Sequence, residues 1–138
     1  MLNLTIRPYQ SEDEDQIVQL WHDCGLVVPQ NNPQRDIELK LQVQPELFLV
    51  GVIGSEIVAS VMVGYEGHRG WFNYLGVSPA FQRQGIGRCM IEAATAKLEA
   101  LGCPKINLQI RTSNAGVIEF YKRLGFTIDD VISMGKRL

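Results

Sequence analysis

The chain has 138 residues, of which 46% are hydrophobic and 20% charged, and its formal net charge is −2 at pH 7. This length and composition suit one globular domain spanning residues 1–138. The charge, with no block of basic residues, argues against binding to nucleic acid or to an acidic membrane surface. No stretch resembles a signal peptide or a membrane-spanning helix, so the expected location is the cytoplasm.

The cysteines and histidines give no sign of a metal centre or a disulfide framework. Cys24, Cys89 and Cys103 are an odd number without CxxC spacing, and His22 and His68 are far apart in sequence. This pattern is typical of reduced packing cysteines, and we expect no bound metal.

The first third of the chain alternates one strand with two helices. Apolar residues at 2, 4 and 6 predict a strand that ends at Pro8. Ser11 is the predicted cap of a first helix with an acidic first turn, which ends at Gly25. Asn32, followed by a proline, is the predicted cap of a short second helix.

Strand patterns then dominate until residue 77, and two further βα units follow. Apolar runs at 47–53, 57–65 and 71–77, separated by turns, predict three antiparallel strands, with Gly76 marking a bulge or a close approach. A long helix, a strand over 105–111, a helix capped by Asn114 and a short strand within 126–138 complete the chain. The order strand, helix, helix, three strands, helix, strand, helix, strand predicts an α/β fold with a mixed sheet and helices on both faces. The strands before and after the long helix should lie parallel.

The start of the long helix has no ordinary cap. Its apolar stripe begins at Ile86, but no Ser, Thr, Asp or Asn precedes it. Free N–H groups, glycines and two arginines at a helix start form a plausible anion site, with phosphate as the usual ligand. The alternative is a loop glycine with a small residue for close packing. A Walker A loop and a dinucleotide fingerprint both fit worse. The residues concerned are Gln82, Arg83, Gln84, Gly85, Ile86, Gly87 and Arg88.

These motifs resemble those of the GNAT superfamily of N-acetyltransferases, which use acetyl-coenzyme A, and within it the small bacterial YpeA-like acetyltransferases. The most specific part is the Gln/Arg-x-x-Gly-x-Gly/Ala loop, matched by Gln82, Gly85 and Gly87. The strand end Leu75-Gly76-Val77 and the stretch NAGVIEFYKRLGF, residues 114–126, are equally typical. The resemblance covers almost the whole chain and implies the GNAT fold.

The resemblance also implies how acetyl-CoA would bind. The backbone of residues 82–88 would hold the pyrophosphate, and Arg83 and Arg88 would neutralise the pyrophosphate or the 3′-phosphate. The pantetheine arm would pair with the strand edge at Leu75 and Val77, beside Gly76, where the neighbouring strands splay apart. The Val77 N–H would stabilise the oxyanion, and Asn114 would contact the pantetheine arm as well as cap its helix.

The family generally uses direct attack of an amine on the thioester in a ternary complex. By resemblance, Tyr121 is the general acid that protonates the leaving thiolate; from the sequence alone it could be a core tyrosine. The family's strand glutamate is missing here. Glu66 is the nearest carboxylate and the candidate base, with Tyr74 or an ordered water as rivals, and an amine already neutral in solution needs no strong base.

The acceptor pocket is expected to be built from the first two helices and the turn at Glu66, and the polar loop at residues 26–34 is the most substrate-like loop. Trp21, Trp71 and Tyr74 are candidate walls or core residues, and Asp36 and Glu66 could attract a cationic amine or lie in solvent. The predicted function is acetyl-CoA-dependent transfer to a primary amine of a small molecule or protein. The alternatives are a non-catalytic acyl-CoA sensor and a structural domain that binds nothing. The edge of the last predicted strand could pair with a second subunit to form a homodimer.

Overall fold

Five strands form one mixed sheet. The structure is a computed structural model that describes residues 3–138, so Leu2 of the first predicted strand lies outside the described residues. The strands pair in sequence order, antiparallel from the first to the fourth and parallel between the fourth and fifth. The predicted mixed sheet and its parallel pair are confirmed. The strands are β1 (Leu4–Pro8), β2 (Phe48–Ile53), β3 (Glu56–Tyr65), β4 (Gly70–Val77) and β5 (Ile106–Leu108).

Helices cover both faces of this sheet, as predicted. In β2, a Cβ built on Gly51 would lie 3.0 Å from the Met90 sulfur, whereas Val50 belongs to a core cluster that includes Trp21. Because neighbouring side chains of a strand point to opposite faces, the helices that carry Met90 and Trp21 pack on opposite faces. No helix within residues 3–138 is both long and apolar enough to cross a bilayer. The helices are α1 (Glu14–Asp23), α2 (Pro33–Lys40), α3 (Ile86–Ala100) and α4 (Ala115–Arg123).

A row of stacked aromatic rings runs through the core on the α1 face. The Tyr9 and Phe48 rings stack with centroids 4.7 Å apart, Phe48 continues to Trp21, and Trp21 stacks on Tyr74 at 3.8 Å. Trp21 and Phe48 have no exposed surface, and burying a side chain of this kind contributes about 1.5–3 kcal/mol. Trp21 is therefore a core residue, whereas Trp71 is exposed on the sheet.

The end of α2 is fixed to β3 by two polar side chains. The Lys40 ammonium, largely buried, donates to the Val63 carbonyl, and burial lowers the pKa of Lys40. Gln44 accepts from the Tyr65 N–H at 2.8 Å and donates to the Tyr65 carbonyl at 2.9 Å. Gln44 thus supplies the hydrogen bonds that β2 would supply if it were longer, and α2 is held in a defined place beside the sheet.

The start of the first helix differs from the prediction. Ser11–Asp13 form a 3₁₀ turn that leads into α1, and Asp13, not Ser11, is the residue whose side chain bonds back to the start of this turn. The Asp13 carboxylate accepts from the Gln10 N–H at 2.8 Å and pairs with both terminal nitrogens of Arg7 at 2.7 and 3.0 Å. A charged, bidentate partner makes Asp13 a stronger closing group than the Ser11 hydroxyl.

The chain divides into two units, Met1–Leu108 and Gln109–Leu138, and the second contains α4. The predicted strand within 126–138 is not present, and the strand predicted over 105–111 is shortened to β5. Ile128, Val131, Ile132 and Met134 are between 74% and 91% exposed. An extended segment becomes a strand only through a ladder with a partner, and residues 126–138 make none with the described chain. The prediction of a single domain over residues 1–138 stays a prediction.

Candidate functional site

The start of α3 is open. Gly85 is the N-cap, with a φ of 80°, and it provides no side-chain cap. Within residues 3–138, no oxygen accepts from the N–H groups of Gly85, Ile86, Gly87 or Arg88. A Cβ built on Gly85 would meet nothing within 4 Å. Four backbone donors at the positive end of a 15-residue helix therefore lack an acceptor in the described residues, and the space beside Gly85 is open.

Two arginines flank this start. Arg83 is exposed, has a φ of 64° and makes no ion pair within residues 3–138. Arg88 pairs with Glu92 one turn along the helix at 2.9 Å, and both side chains are 64% exposed. An exposed pair of this kind contributes only about 0.3–0.5 kcal/mol, so Arg88 can exchange Glu92 for another anion at little cost.

The end of β4 has one edge, the free edge, that pairs with no strand within residues 3–138. Its parallel pairing with β5 stops at Phe72 opposite Leu108, five positions before Val77. The Ser78 N–H donates to the Val58 carbonyl at 2.7 Å on the β3 side. Because bonding directions alternate along an antiparallel ladder, the Val77 N–H and carbonyl point away from β3. The Val77 carbonyl accepts from the Gln82 side chain at 3.2 Å, which ties the loop before α3 to this edge.

The bulge in β4 lies before Gly76. Ser60 faces Gly76 and Met62 faces Asn73, so two residues, Tyr74 and Leu75, stand opposite one residue of β3. Tyr74 takes a φ of 52°, which a bulky side chain rarely adopts. Gly76 therefore lies outside the bulge. It marks the other possibility given by the sequence, a close approach by a neighbouring group.

The neighbours of Gly76 belong to the chain itself. A Cβ at this position would lie 3.2 Å from the Cys24 sulfur and 3.1 Å from a Leu26 methyl carbon. Cys24 also donates through its thiol to the Val77 carbonyl at 3.3 Å, and burial raises the pKa of this thiol. Gly76 therefore allows the end of α1 and the following loop to pack closely against β4.

Glu66 is engaged in the turn between β3 and β4. Its exposed carboxylate accepts from the backbone N–H groups of Arg69 and His68, and these bonds, the Arg69 bond first, lower the pKa of Glu66. The turn lies at the opposite end of β4 from Val77, which a rise of about 3.3 Å per residue makes roughly 20 Å. Distance and acidity both argue against Glu66 as the base for a reaction beside Val77.

Tyr121, in the second unit, is a buried phenol without a hydrogen-bond partner in the described chain. Its ring packs edge-on against Phe120 and Phe126, with centroids 5.1 and 5.2 Å away. No buried side-chain oxygen or nitrogen in residues 3–138 lacks a partner, so the unpartnered Tyr121 oxygen must reach the surface. Burial raises the pKa of Tyr121, which keeps the phenol protonated at neutral pH. Asn114 caps α4 as predicted, accepting from the Val117 N–H at 3.4 Å.

A polar cluster lies beside the bulge on the α1 face. The Tyr74 hydroxyl donates to Asp36 of α2 and accepts from the Asn31 amide at 3.2 Å. Ser60, fully buried, accepts from the Trp21 indole at 2.9 Å and donates to the Tyr74 carbonyl at 2.8 Å. Burial, and then the bond to Asp36, raise the pKa of Tyr74. The loop after α1, the start of α2 and the bulge of β4 thus meet at one tyrosine.

Comparison with known proteins identifies the family. The model of the acetyltransferase (GNAT) family matches residues 6–126. An acetyltransferase of Yersinia enterocolitica is 45% identical over 135 residues, covering 98% of this chain and 96% of the relative. The chain belongs to the GNAT acetyltransferase family.

Solved structures agree with this fold. Ard1 from Thermoplasma volcanium superposes with a TM-score of 0.80 at 22% identity, over 93% of this chain and 85% of that one. AAC(6′)-Iy, in complex with the bisubstrate analog CoA-S-monomethyl-acetylneamine, superposes with a TM-score of 0.79 at 17% identity, over 99% of each chain. At these identities the likeness concerns the fold.

The first unit of this GNAT protein brings together two of the predicted features, the open start of α3 and the edge of β4, through the bond between Gln82 and Val77. Asn114 and Tyr121 lie in the second unit. Within residues 3–138, no group of three or more His, Cys, Asp or Glu side chains is placed to hold a metal ion.

Sequence analysis of this GNAT chain missed two members of the polar cluster. Asn31 was only part of a polar loop, and Ser60 lay inside an apolar strand. Ser60 could have been noticed as the one serine within an apolar strand. A buried hydroxyl needs a hydrogen-bond partner, so its presence indicates a polar contact in the core. The sequence analysis assigned Tyr74, Asp36 and the loop that contains Asn31 to the expected acceptor pocket, but no pattern indicated their hydrogen bonds, because tertiary packing joins residues some 40 positions apart.

Proposed function

We propose that the protein transfers the acetyl group of acetyl-CoA to a primary amine by direct attack in a ternary complex. The observation that carries the proposal is the row of unpartnered N–H groups at the start of α3, tied to the free edge of β4. Membership of the GNAT family supplies the acetyltransferase chemistry. The CoA-containing analog bound by AAC(6′)-Iy supports coenzyme A as the carrier.

The open helix start would hold the pyrophosphate of coenzyme A. A diphosphate offers the acceptor oxygens that these donors lack, and the helix dipole favours its charge. Arg83 and Arg88 would add charge against the pyrophosphate or the 3′-phosphate. The cradle consists of Gln82, Arg83, Gln84, Gly85, Ile86, Gly87 and Arg88.

The β4 edge would position the thioester. Leu75 and Val77 would pair with the amides of the pantetheine arm, in the way an added strand pairs with a sheet edge. The Val77 N–H, which points away from β3, would donate to the carbonyl oxygen as it gains negative charge. The Asn114 side-chain nitrogen would contact the same arm while the side-chain oxygen caps α4.

Acetyl transfer from the thioester to an amine involves a proton gained by the thiolate and a proton lost by the amine nitrogen. The nitrogen lone pair of the amine attacks the thioester carbon, the carbon–sulfur bond breaks, and the thiolate takes a proton from the Tyr121 hydroxyl. The nitrogen releases one proton to water, which afterwards restores the Tyr121 proton. This scheme requires no contribution from Glu66, whose carboxylate is held in its turn.

Two measurements on the purified protein test the proposal. Calorimetric titration with coenzyme A should show saturable binding, and thiol release from acetyl-CoA should depend on an added primary amine. Saturable binding without thiol release over a panel of amines and peptides would indicate the non-catalytic acyl-CoA sensor instead. No saturable binding would refute both.

Replacing Tyr121 by Phe tests the general acid. Loss of a positioned acid typically lowers a rate about 100-fold or more, so kcat should fall by about that factor while the Kd for coenzyme A is unchanged. Tyr9→Phe is the matched control, because Tyr9 is also a buried tyrosine but lies in the core cluster. Equal kcat values for the two variants would remove Tyr121 from this role.

A further inference from the structure

The cluster of Tyr74, Asp36 and Asn31 has an unused binding capacity. Asp36 Oδ2 accepts from Tyr74, whereas Asp36 Oδ1 accepts no hydrogen bond within residues 3–138. The Asn31 side-chain oxygen also accepts none there, since this amide acts only as a donor to Tyr74. No buried side-chain oxygen lacks a partner, so both of these oxygens reach solvent. Two acceptor oxygens, one of them anionic, are therefore open beside the same tyrosine.

The surrounding structure fixes this cluster at some cost. Tyr74 keeps a left-handed backbone, which costs on the order of 1–3 kcal/mol for a residue of this kind, and such strain is concentrated at functional sites. The Tyr74 ring stacks on the fully buried Trp21, and its carbonyl accepts from the fully buried Ser60. Helix α2, which carries Asp36, is tied to β3 through Lys40. The side chains are thus preorganised rather than loosely placed on the surface.

The cluster also has a defined relation to the proposed reaction edge. Tyr74 is the first residue of the bulge and stands three positions before Val77 on the same strand. Gly76, between them, packs against Cys24 at the end of α1 and Leu26 in the following loop. An acceptor held by Asp36 and Asn31 would therefore approach the end of β4 from the α1 side, opposite to the face that α3 covers.

We propose that Asp36 and Asn31 bind the acceptor and select one that carries positive charge, with Tyr74 as the residue that positions Asp36. An ammonium group has three N–H donors and no acceptor, which matches a carboxylate oxygen beside an amide oxygen. An acceptor with a carboxylate near its amine would be repelled. This inference rests on the proposed function, because it names the acceptor class for that reaction.

A pair of probes that differ in charge tests the selection. 1,4-Diaminobutane and 4-aminobutanoic acid have the same chain length, and the protein should acetylate the diamine with a kcat/KM at least about tenfold higher, as expected for one desolvated charge interaction. Asp36→Asn should bring this ratio close to one. Glu38→Gln is the matched control, since it removes the same charge from the same helix at an exposed position, and it should leave the ratio unchanged.

Tyr74→Phe separates positioning from a purely structural role. Without the hydroxyl, Asp36 is free to rotate, so KM for the diamine should rise several-fold while KM for 4-aminobutanoic acid is unchanged. A structural defect would alter both KM values alike.

If acetyl transfer is too slow to measure, the binding of 1,4-diaminobutane can be measured directly by calorimetry. The wild-type protein and Glu38→Gln should bind the diamine, and Asp36→Asn should not. Absence of diamine binding and of charge preference in the wild-type protein, or the same preference in Asp36→Asn, would overturn the inference. Titration of the same preparation with coenzyme A distinguishes this from failure of the proposed function, which would abolish coenzyme A binding instead.

Discussion

Two helix starts in this chain solve the same problem in opposite ways. Before α1, the Asp13 carboxylate accepts from the Gln10 N–H and is itself held by Arg7, so the 3₁₀ turn that leads into the helix is fixed by the chain's own acid. Before α3, Gly85 has no side chain, and the N–H groups that follow have no acceptor within residues 3–138. The segment before α1 is thus fixed by contacts within the chain, whereas the N–H groups at the start of α3 have no acceptor in the described residues.

The other two helices strengthen this contrast. Asn32 accepts from the Arg35 N–H at the start of α2, and Asn114 does so for Val117 at the start of α4. Side-chain acceptors at a helix start typically stabilise a protein by about 1 kcal/mol, so a start without one gives up stability. Of the four α-helices within residues 3–138, α2 and α4 have such an acceptor, whereas α1 and α3, the longest of the four, have none.

Gly85→Val should block the open start of α3 and should have the largest effect on coenzyme A binding among these variants. A left-handed backbone costs a residue with a side chain about 1–2 kcal/mol, and the valine would stand where the phosphates approach. We expect the Kd for coenzyme A, measured by calorimetry, to rise by about 100-fold, or about 2.7 kcal/mol.

Gly102→Val provides the control for backbone strain. Gly102 follows the other end of α3 with a φ of 81°, and a Cβ there also meets nothing within 4 Å. This variant should lose similar stability but keep its affinity for coenzyme A. Equal affinity losses in the two variants would mean that strain, rather than access to the helix start, controls binding.

Asp13→Asn should remove the ion pair that fixes the segment before α1. The amide cannot pair with Arg7 as a carboxylate does, so the free energy of unfolding, measured with urea, should fall by about 2 kcal/mol. The affinity for coenzyme A should be unchanged. An affinity loss comparable to that of Gly85→Val would show that the two starts are not independent.

Acid should remove the same stabilisation. Burial opposes ionisation of Asp13, but the hydrogen bonds from Arg7 and Gln10 outweigh it and lower its pKa below 3.8. A lowered pKa means that this stabilisation is complete above pH 3.8 and is lost as the pH falls through the folded-state pKa. The gap in unfolding free energy between wild type and Asp13→Asn should therefore narrow below pH 3.8. A constant gap down to pH 2 would contradict the ion pair.

What could be predicted from the sequence depended on whether the signal was local. The uncapped start of α3, the Asn32 and Asn114 caps and the antiparallel pairing of β2 with β3 are indicated by residues that are neighbours in sequence, and the structure has them. The strand predicted within 126–138 failed because a strand also needs a partner, which an apolar pattern does not supply. Tyr74, Asp36 and the loop at residues 26–34 were candidates for one pocket, but their hydrogen bonds could not be predicted, because these depend on how α2 packs beside a bulge whose position only the strand pairing defines.

Arg83→Gln and Arg88→Gln test how much the positive charge beside the start of α3 contributes to coenzyme A binding. Each arginine lies on the surface, so loss of either should weaken coenzyme A binding by about fivefold, or about 1 kcal/mol. Because exposed charges are screened, both effects should shrink in 1 M salt, where the Debye length is about 3 Å. Arg35→Gln, at an exposed pair on α2, is the control and should leave the affinity unchanged. Effects of Arg83 and Arg88 that persist in high salt would point to contacts other than charge.

Glu92→Gln should have the smallest effect on coenzyme A binding, and this effect should be an increase in affinity. The Glu92 carboxylate occupies the Arg88 side chain and adds negative charge one turn from the open start, so its removal should favour a bound anion. Coenzyme A binding should tighten by about twofold, the size expected from an exposed i,i+4 pair of about 0.3–0.5 kcal/mol. In the Arg88→Gln background this gain should be smaller, because only the helix-dipole contribution remains. Weaker binding in Glu92→Gln would mean that Glu92 holds Arg88 in its working position, and that the ion pair belongs to the cradle.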